Sequence, residues 1–294
     1  MIMNKEESKM KKLFSILLAV LMLLGLSGCV VIRTVTKYAN ADKYTAGGFT
    51  YDASAVKRVE LEWAAGDVTL KHGSGTLSVS ESGGDALATS ERLHWWLDGT
   101  TLRIKYCESG YTHIIPSRNK HLTLELPVND RVDLKIDIAS GEIRADALYV
   151  NSLDVKTASG GVAIDVLDAG EAHIDSASGG IRLGTVTVDV FSVDTASGGL
   201  GTDRLNAKTV KVNSASGGVT LGLDTMETVD IGVASGRVTL KLLNAARGAT
   251  VQLSKLSGDF DCALPMTAGG KTYKIGDGAI QIKIDSASGG VTIE

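Results

Sequence analysis

One tripeptide, Ala-Ser-Gly, recurs along this chain on a fixed step: its serine stands at Ser140, Ser159, Ser178, Ser197, Ser216 and Ser235, always 19 residues apart. A short constant period with one turn signal per unit requires stacked units, each burying its apolar face on its neighbours. A unit of 19 residues is too short for a helix pair. The spacing therefore predicts an all-β chain, a β-helix-like β-solenoid of stacked 19-residue rungs.

Counting from the repeated serine, position minus six holds Leu134, Leu153, Ala172, Phe191, Val210 and Val229, and minus four holds Ile136, Val155, Ile174, Val193, Val212 and Ile231. The residues between them are polar: Lys135, Asp154, His173, Ser192, Lys211 and Asp230. This alternation of period two puts one strand face into the stack and the other into water. After the turn, apolar residues resume at plus three with Ile143, Val162, Ile181, Leu200, Val219 and Val238. Each unit thus has two short strands and one Ala-Ser-Gly corner. At that corner Gly141, Gly160, Gly179, Gly198, Gly217 and Gly236 are expected to supply positive φ for the bend. The alanine leaves clearance for the next rung. The serine hydroxyls are expected to bond to turn backbone groups and to one another.

The ruler slips at both ends. Trp63–Leu70 reads as an earlier rung, Leu256–Phe260 as a later one and Ser286–Ile293 as the last, with 22 residues from Ser235 to Ser257 and 31 from Ser257 to Ser288. Residues 71–133 interrupt the pattern. Within them Leu93–Ile104 reads as a hairpin insertion turning at Asp98-Gly99, and polar Glu108–His121 as a surface loop. The chain stops at Glu294, inside what reads as an outgoing strand, so an uncovered stack end and end-to-end self-association are expected there.

The N-terminus speaks to location. Met10-Lys-Lys is followed by the apolar run Leu13–Leu26 and then Ser27-Gly28-Cys29, which resembles a bacterial lipoprotein signal. That resemblance implies removal of residues 1–28, lipidation of Cys29, a tether over 29–49 and a solenoid domain over 50–294, held outside the cytoplasm by a membrane lipid. Either Met1 or Met10 serves as the start. The formal net charge of −4 becomes about −6 without residues 1–28, which carry four lysines and two glutamates. An acidic exported surface argues against a nucleic-acid partner. Cys107 and Cys262 sit in distant rungs and are expected to remain unpaired.

The glycine-cornered rungs, the lead-in Leu122–Pro127 and the Gly-Asp-Val and Ser-Gly-Asp variants of the corner resemble the bacterial putative-adhesin family of β-strand-repeat surface domains. The resemblance covers residues 50–294 and implies a surface role, with no catalytic residues to carry over and no cofactor. Some members of that family accompany envelope-stress systems.

Three features invite a chemical reading. The column at minus three contains Asp137, Asp175 and Asp194, continued by Asn213 and Asp285 and broken by Lys156 and Gly232; it reads as a solvated face, with a hard-cation site as the alternative. Trp95 and Trp96 are adjacent in a strand, so one faces inward and the other outward. They form either a cap over an open rung edge or, with Tyr106 and Tyr111, a contact surface. The repeated serine fits a corner device, because catalytic sites are singular and this group occurs in every unit. The expected function is a non-enzymatic interaction module meeting an envelope protein, a peptide or wall polymer. A structural spacer and a carbohydrate-active β-helix enzyme are the alternatives.

Overall fold

A computed structural model describes residues 33–35, 37–73, 75–83, 87–114, 120–128, 131–244 and 246–294. Cys29 and the signal segment lie outside these residues. Among the described residues there is no α-helix, and short 3-10 turns occur at Ala41–Lys43, Ala53–Ala55 and Thr89–Glu91. No helix among them is long and apolar enough to cross a membrane. The chain is a β-solenoid of parallel in-register rungs, as its period predicts.

The unit 162–180 shows how the period becomes a cross-section. Val162 and Ile164 point inward, then Leu167 and Ala169, then Ala172, Ile174 and Ser176. Between these groups two consecutive residues face out, Asp165-Val166 and Gly170-Glu171. Each such pair resets the alternation and marks a bend, so a rung has three short inward faces. Aliphatic side chains from all three meet in one continuous core running the length of the stack. The bend after position 188 is shallow enough that Ile181–Thr195 and Leu200–Ser214 run as unbroken 15-residue strands.

The order of the rungs departs from chain order at both ends. In the sheet of strands that precede the corner, Thr101–Lys105 comes first. It is followed by Arg58–Ala65, Asp133–Ser140, the regular units through Thr228–Ser235, then Ile280–Ser288 and finally Ala249–Ser257. The strands that follow the corner repeat this permutation: His121–Pro127 lies outside Val68–Gly73, and Val291–Ile293 lies between Val238–Leu242 and Phe260–Cys262. The segment 71–133 is therefore more than an insertion, since it contributes the outermost rung at its end.

Antiparallel strands cover the first end and part of the second, over edges that would otherwise recruit other chains. At the first end the hairpin His94–Asp98 and Thr101–Lys105 turns at Asp98-Gly99, with Gly99 at φ 62°, and Thr45–Ala46 pairs outside it. Thr76–Ser82 and Phe49–Asp52 cover the other sheet there. At the second end Thr272–Ile275 pairs with Ala249–Gln252 and Met266–Gly269 pairs outside it, while among the described residues Phe260–Cys262 has a strand partner on its inner side alone. The expectation of an open end at Glu294 is thus corrected. Glu294 exchanges backbone hydrogen bonds with Leu240 and Leu242, one rung inside the terminal one.

Two further boundaries move. Residues 37–49, expected as tether, are partly folded: Tyr38 and Tyr44 pack together and Thr45–Ala46 joins the sheet. The loop expected over 108–121 ends in a buried residue, Lys120. Cys107 and Cys262 lie at the outermost rungs at opposite ends, far beyond disulfide reach of each other.

Candidate functional site

At the corner, the glycines are required by space. A Cβ on Gly160 would lie 1.8 Å from the carbonyl oxygen of Gly141, and on Gly179 it would lie 1.6 Å from that of Gly160; Gly198 and Gly217 repeat this at 1.9 Å. Positive φ is found at the first and last of the six, Gly141 at 121° and Gly236 at 157°, and not at these four interior positions. The expectation that the bend sets φ throughout is corrected accordingly: rungs a strand spacing apart leave no room for a side chain.

The corner serines donate across rungs. Ser159 Oγ donates to Ala139 O at 3.1 Å, Ser178 Oγ to Ala158 O at 3.1 Å and Ser197 Oγ to Ala177 O at 3.2 Å. Ser216 and Ser140 continue the column, on Ala196 O and Ala64 O. Ser235 and Gly236 close it against the rung of Ser288 and Gly289. The bend itself is held by a second column, two residues earlier, that the sequence reading passed over. Thr157, Ser176, Thr195 and Ser214 are buried, and each hydroxyl both accepts from the N–H and donates to the carbonyl of the corner glycine three residues on, Gly160, Gly179, Gly198 or Gly217. With their hydroxyls engaged by backbone, both columns are architectural.

The acidic column at minus three is also paired off. Lys135 lies 3.8 Å from Asp137, and Lys156 stands between Asp137 and Asp175, 3.8 Å from the latter. His173 Nε2 is 3.1 Å from Asp175 Oδ1, and Asn213 donates to Asp194 at 2.7 Å. Lys283 closes the row on Asp285 at 2.6 Å. Burial raises the pKa of Asp137, the neighbouring Lys135 opposing it. His173, Asp175 and Asp194 bring their ligand atoms within 4.8 Å of one another. Ammonium, imidazole and amide groups already neutralise or bond these carboxylates, which is how a sheet tolerates like charges in register.

The remaining candidate is the aromatic end. Trp95 and Trp96 point to opposite sides of their strand. Trp95 packs on the core side, stacked on Phe49 with centroids 4.1 Å apart. Trp96 is half-buried on the other side, edge-on to Tyr44 at 5.7 Å and under the Lys43 ammonium at 4.9 Å. Tyr44 in turn meets Tyr38 at 4.6 Å, and Tyr38 donates its hydroxyl to Cys107 O at 3.0 Å. The N-terminal segment is therefore docked over the hairpin, with Trp96 at the seam. Arg103 and Lys105 flank it but are matched by Glu60, Asp98 and Glu62. Burial raises the pKa of Tyr44.

Tyr106 does not belong to this surface. It is 5% exposed, stacked edge-on to buried Trp63 at 4.9 Å, and burial pushes its hydroxyl up to about 12. Tyr111 packs against the core and donates to Glu91 Oε1 at 3.0 Å. Beside Tyr106, and absent from the sequence reading, lies a buried ion pair: Lys120 Nζ is 2.8 Å from Glu81 Oε2. It also donates to Glu91 O at 2.6 Å and Tyr106 O at 2.5 Å. Burial lowers the Lys120 pKa and Glu81 opposes the shift. With two backbone carbonyls accepting from the ammonium and Glu81 at ion-pair distance, the pair anchors the outermost rung.

Comparison with known proteins places the architecture. Residues 92–294 match the family model described as Toastrack DUF4097. A putative adhesin from Parabacteroides distasonis is similar over 86% of this chain and 97% of its own, at 12% identity and a TM-score of 0.54. A putative adhesin from Bacteroides fragilis is similar over 84% of this chain and 96% of its own, at 12% identity and a TM-score of 0.48. No curated protein matches the chain significantly.

Proposed function

The chain belongs to the Toastrack DUF4097 family, and from that premise we propose that it is a non-enzymatic, surface-displayed interaction module, adhesin-like, held on the extracytoplasmic face of a membrane by lipid at Cys29. The observation that carries this reading is the split of the two tryptophans. Both are half-buried, but Trp95 packs on the core side against Phe49, while Trp96 stands on the outer side beside Tyr44 and Lys43. A half-exposed indole with a polar handle and a cationic neighbour is the kind of group that anchors a peptide or glycan contact. Eight residues separate Cys29 from Lys37, a reach of at most about 28 Å, so this end stays near the membrane surface where wall polymer and envelope proteins are met. The paired charges along the long face support display over turnover, since they repeat and no single constellation is set apart.

The test is binding of purified protein to wall polymer and to envelope peptides, comparing the unsubstituted chain with Trp96→Ala. Binding should fall at least tenfold in W96A with its thermal midpoint within a few degrees of the parent. A chain that binds none of these ligands, or that binds equally with and without Trp96, acts as a spacer. Adhesion and envelope-stress sensing both follow from such a module. An envelope-stress reporter that responds to loss of Trp96 selects sensing.

A further inference from the structure

The last rung, Ile280–Ser288 with Val291–Ile293, sits between two rungs that precede it in the chain, paired in parallel on both sides along its length. Among the described residues the outer rung has no other attachment to the parallel stack: Ala249–Ser257 pairs with Ile280–Ser288 and its own hairpin, and Phe260–Cys262 pairs with Val291–Ile293. The chain thus leaves a slot and fills it with its closing segment.

We propose that this segment, residues 279–294, is exchangeable between copies, so that the partner the slot fits is a second copy of this chain. The slot is selective. Its occupant needs alternating apolar residues where Ile280, Ile282 and Ile284 are buried, and Val291 and Ile293 beyond the corner. It also needs glycine at the corner, because a Cβ on Gly289 would lie 1.9 Å from Gly236 O, and one on Gly258 would lie 2.1 Å from Gly289 O. An arbitrary β-forming peptide lacks that combination, and every copy of this chain carries it. The hinge is short and pliable: residues 276–279 connect the hairpin to the segment, with Gly276 at φ 53° and Gly278 at φ 75°. The seating also lacks the hydroxyl-to-corner bonds that Thr157, Ser176, Thr195 and Ser214 make in their own rungs. Ser286 occupies the buried hydroxyl column at 4% exposure, yet its hydroxyl has no partner among the described residues. Exchange replaces each contact by the same contact from another copy, so it is governed by concentration at the moment the slot closes.

Thr228 and Gln281 are exposed register partners across the slot wall, and parallel neighbours about 4.8 Å apart lie within disulfide reach. Two full-length variants, Thr228→Cys and Gln281→Cys, are unfolded, mixed, refolded at rising protein concentration and oxidised. A disulfide-linked heterodimer should appear whose yield rises with concentration, and should be absent when the two proteins are folded separately before mixing. Asp230→Cys with Lys283→Cys, the next exposed pair in the same register, repeats the measurement should either variant fold poorly. Refolded chains that stay monomeric throughout, or that dimerise without either cross-link, overturn the proposal, the second outcome assigning association to a different surface. Neither result bears on ligand binding at Trp96.

Discussion

Gly179 offers the sharpest test of why the corners are glycine. An added Cβ would lie 1.6 Å from Gly160 O and 2.4 Å from its carbonyl carbon, both backbone atoms that cannot swing aside. Restoring a 3.0 Å contact takes a shift of about 1.4 Å between the two rungs. The bonds spanning that gap are Ala177 N to Thr157 O at 2.9 Å, Ser178 Oγ to Ala158 O at 3.1 Å and Val162 N to Gly180 O at 3.0 Å. A shift of that size takes most of them out of range. Losing the two backbone bonds, each worth about 1–3 kcal/mol when a buried group is orphaned, destabilises by about 2–6 kcal/mol, the exposed Ser178 hydroxyl adding little. The neighbour Gly180 has nothing within 4 Å of its Cβ position and no positive φ, so Gly180→Ala should be neutral or gain up to about 1 kcal/mol through the unfolded chain. Urea unfolding of the two variants, with hydrogen exchange to localise the loss, reads the contrast. If G179A and G180A unfold within about 1 kcal/mol of each other, the steric account is wrong.

Other positions give further checks. Removing the buried hydroxyl in Thr157→Val orphans both the N–H and the carbonyl of Gly160 and should cost about 1–3 kcal/mol, against less than about 1 kcal/mol for the exposed hydroxyl in Ser178→Ala, both read by denaturant midpoint. Lys120→Met leaves Glu81 buried without its cation and should cost about 3–5 kcal/mol, while adding Glu81→Gln should recover part of that loss in a double-mutant cycle. His72 accepts from Tyr149 N at 2.9 Å, and burial lowers its pKa below the usual 6.5. The folded state therefore resists protonation, so stability is intact above pH 6.5 and falls as pH drops toward the folded value, a dependence that His72→Gln should remove from melts run between pH 7 and 5. Asp137 runs the other way. Its pKa is raised above 3.8 in the fold, so its contribution is present below pH 3.8 and lost as pH rises through the folded value, and Asp137→Asn should be stabilising at pH 7 and without effect at pH 3.

The repeat made the regular units legible, because each position in a unit faces the same surroundings in the next. The strands at minus six and minus four, the hairpin at Asp98-Gly99 and the corner at each serine all follow from local pattern. Rung order did not, since the apolar alternation of Ile280–Ser288 fits any slot in the stack, and only long-range pairing ranks one slot above another. The hydroxyl column was present as Thr157, Ser176, Thr195 and Ser214 at the same 19-residue step. It went unread because a polar residue on the inward phase of a strand looks like a break in the pattern until its partners are seen. Lys120 and Glu81 lie outside the period altogether, 39 residues apart, and nothing in the spacing of two opposite charges says that they will be buried together. For the aromatic end, the sequence showed that Trp95 and Trp96 must face opposite ways, but not which one Phe49 would cover.

Because the end segments pair only with the rungs nearest them, the number of regular rungs between them is free. Duplicating or deleting one 19-residue unit between Ser140 and Ser235 leaves every closing contact in place and changes the length of the rod by about 4.8 Å. Such a chain has a length that selection can adjust in small equal steps, through in-frame repeats of a single short stretch of coding sequence. How far apart its two ends stand is then a heritable quantity, separable from whatever they contact.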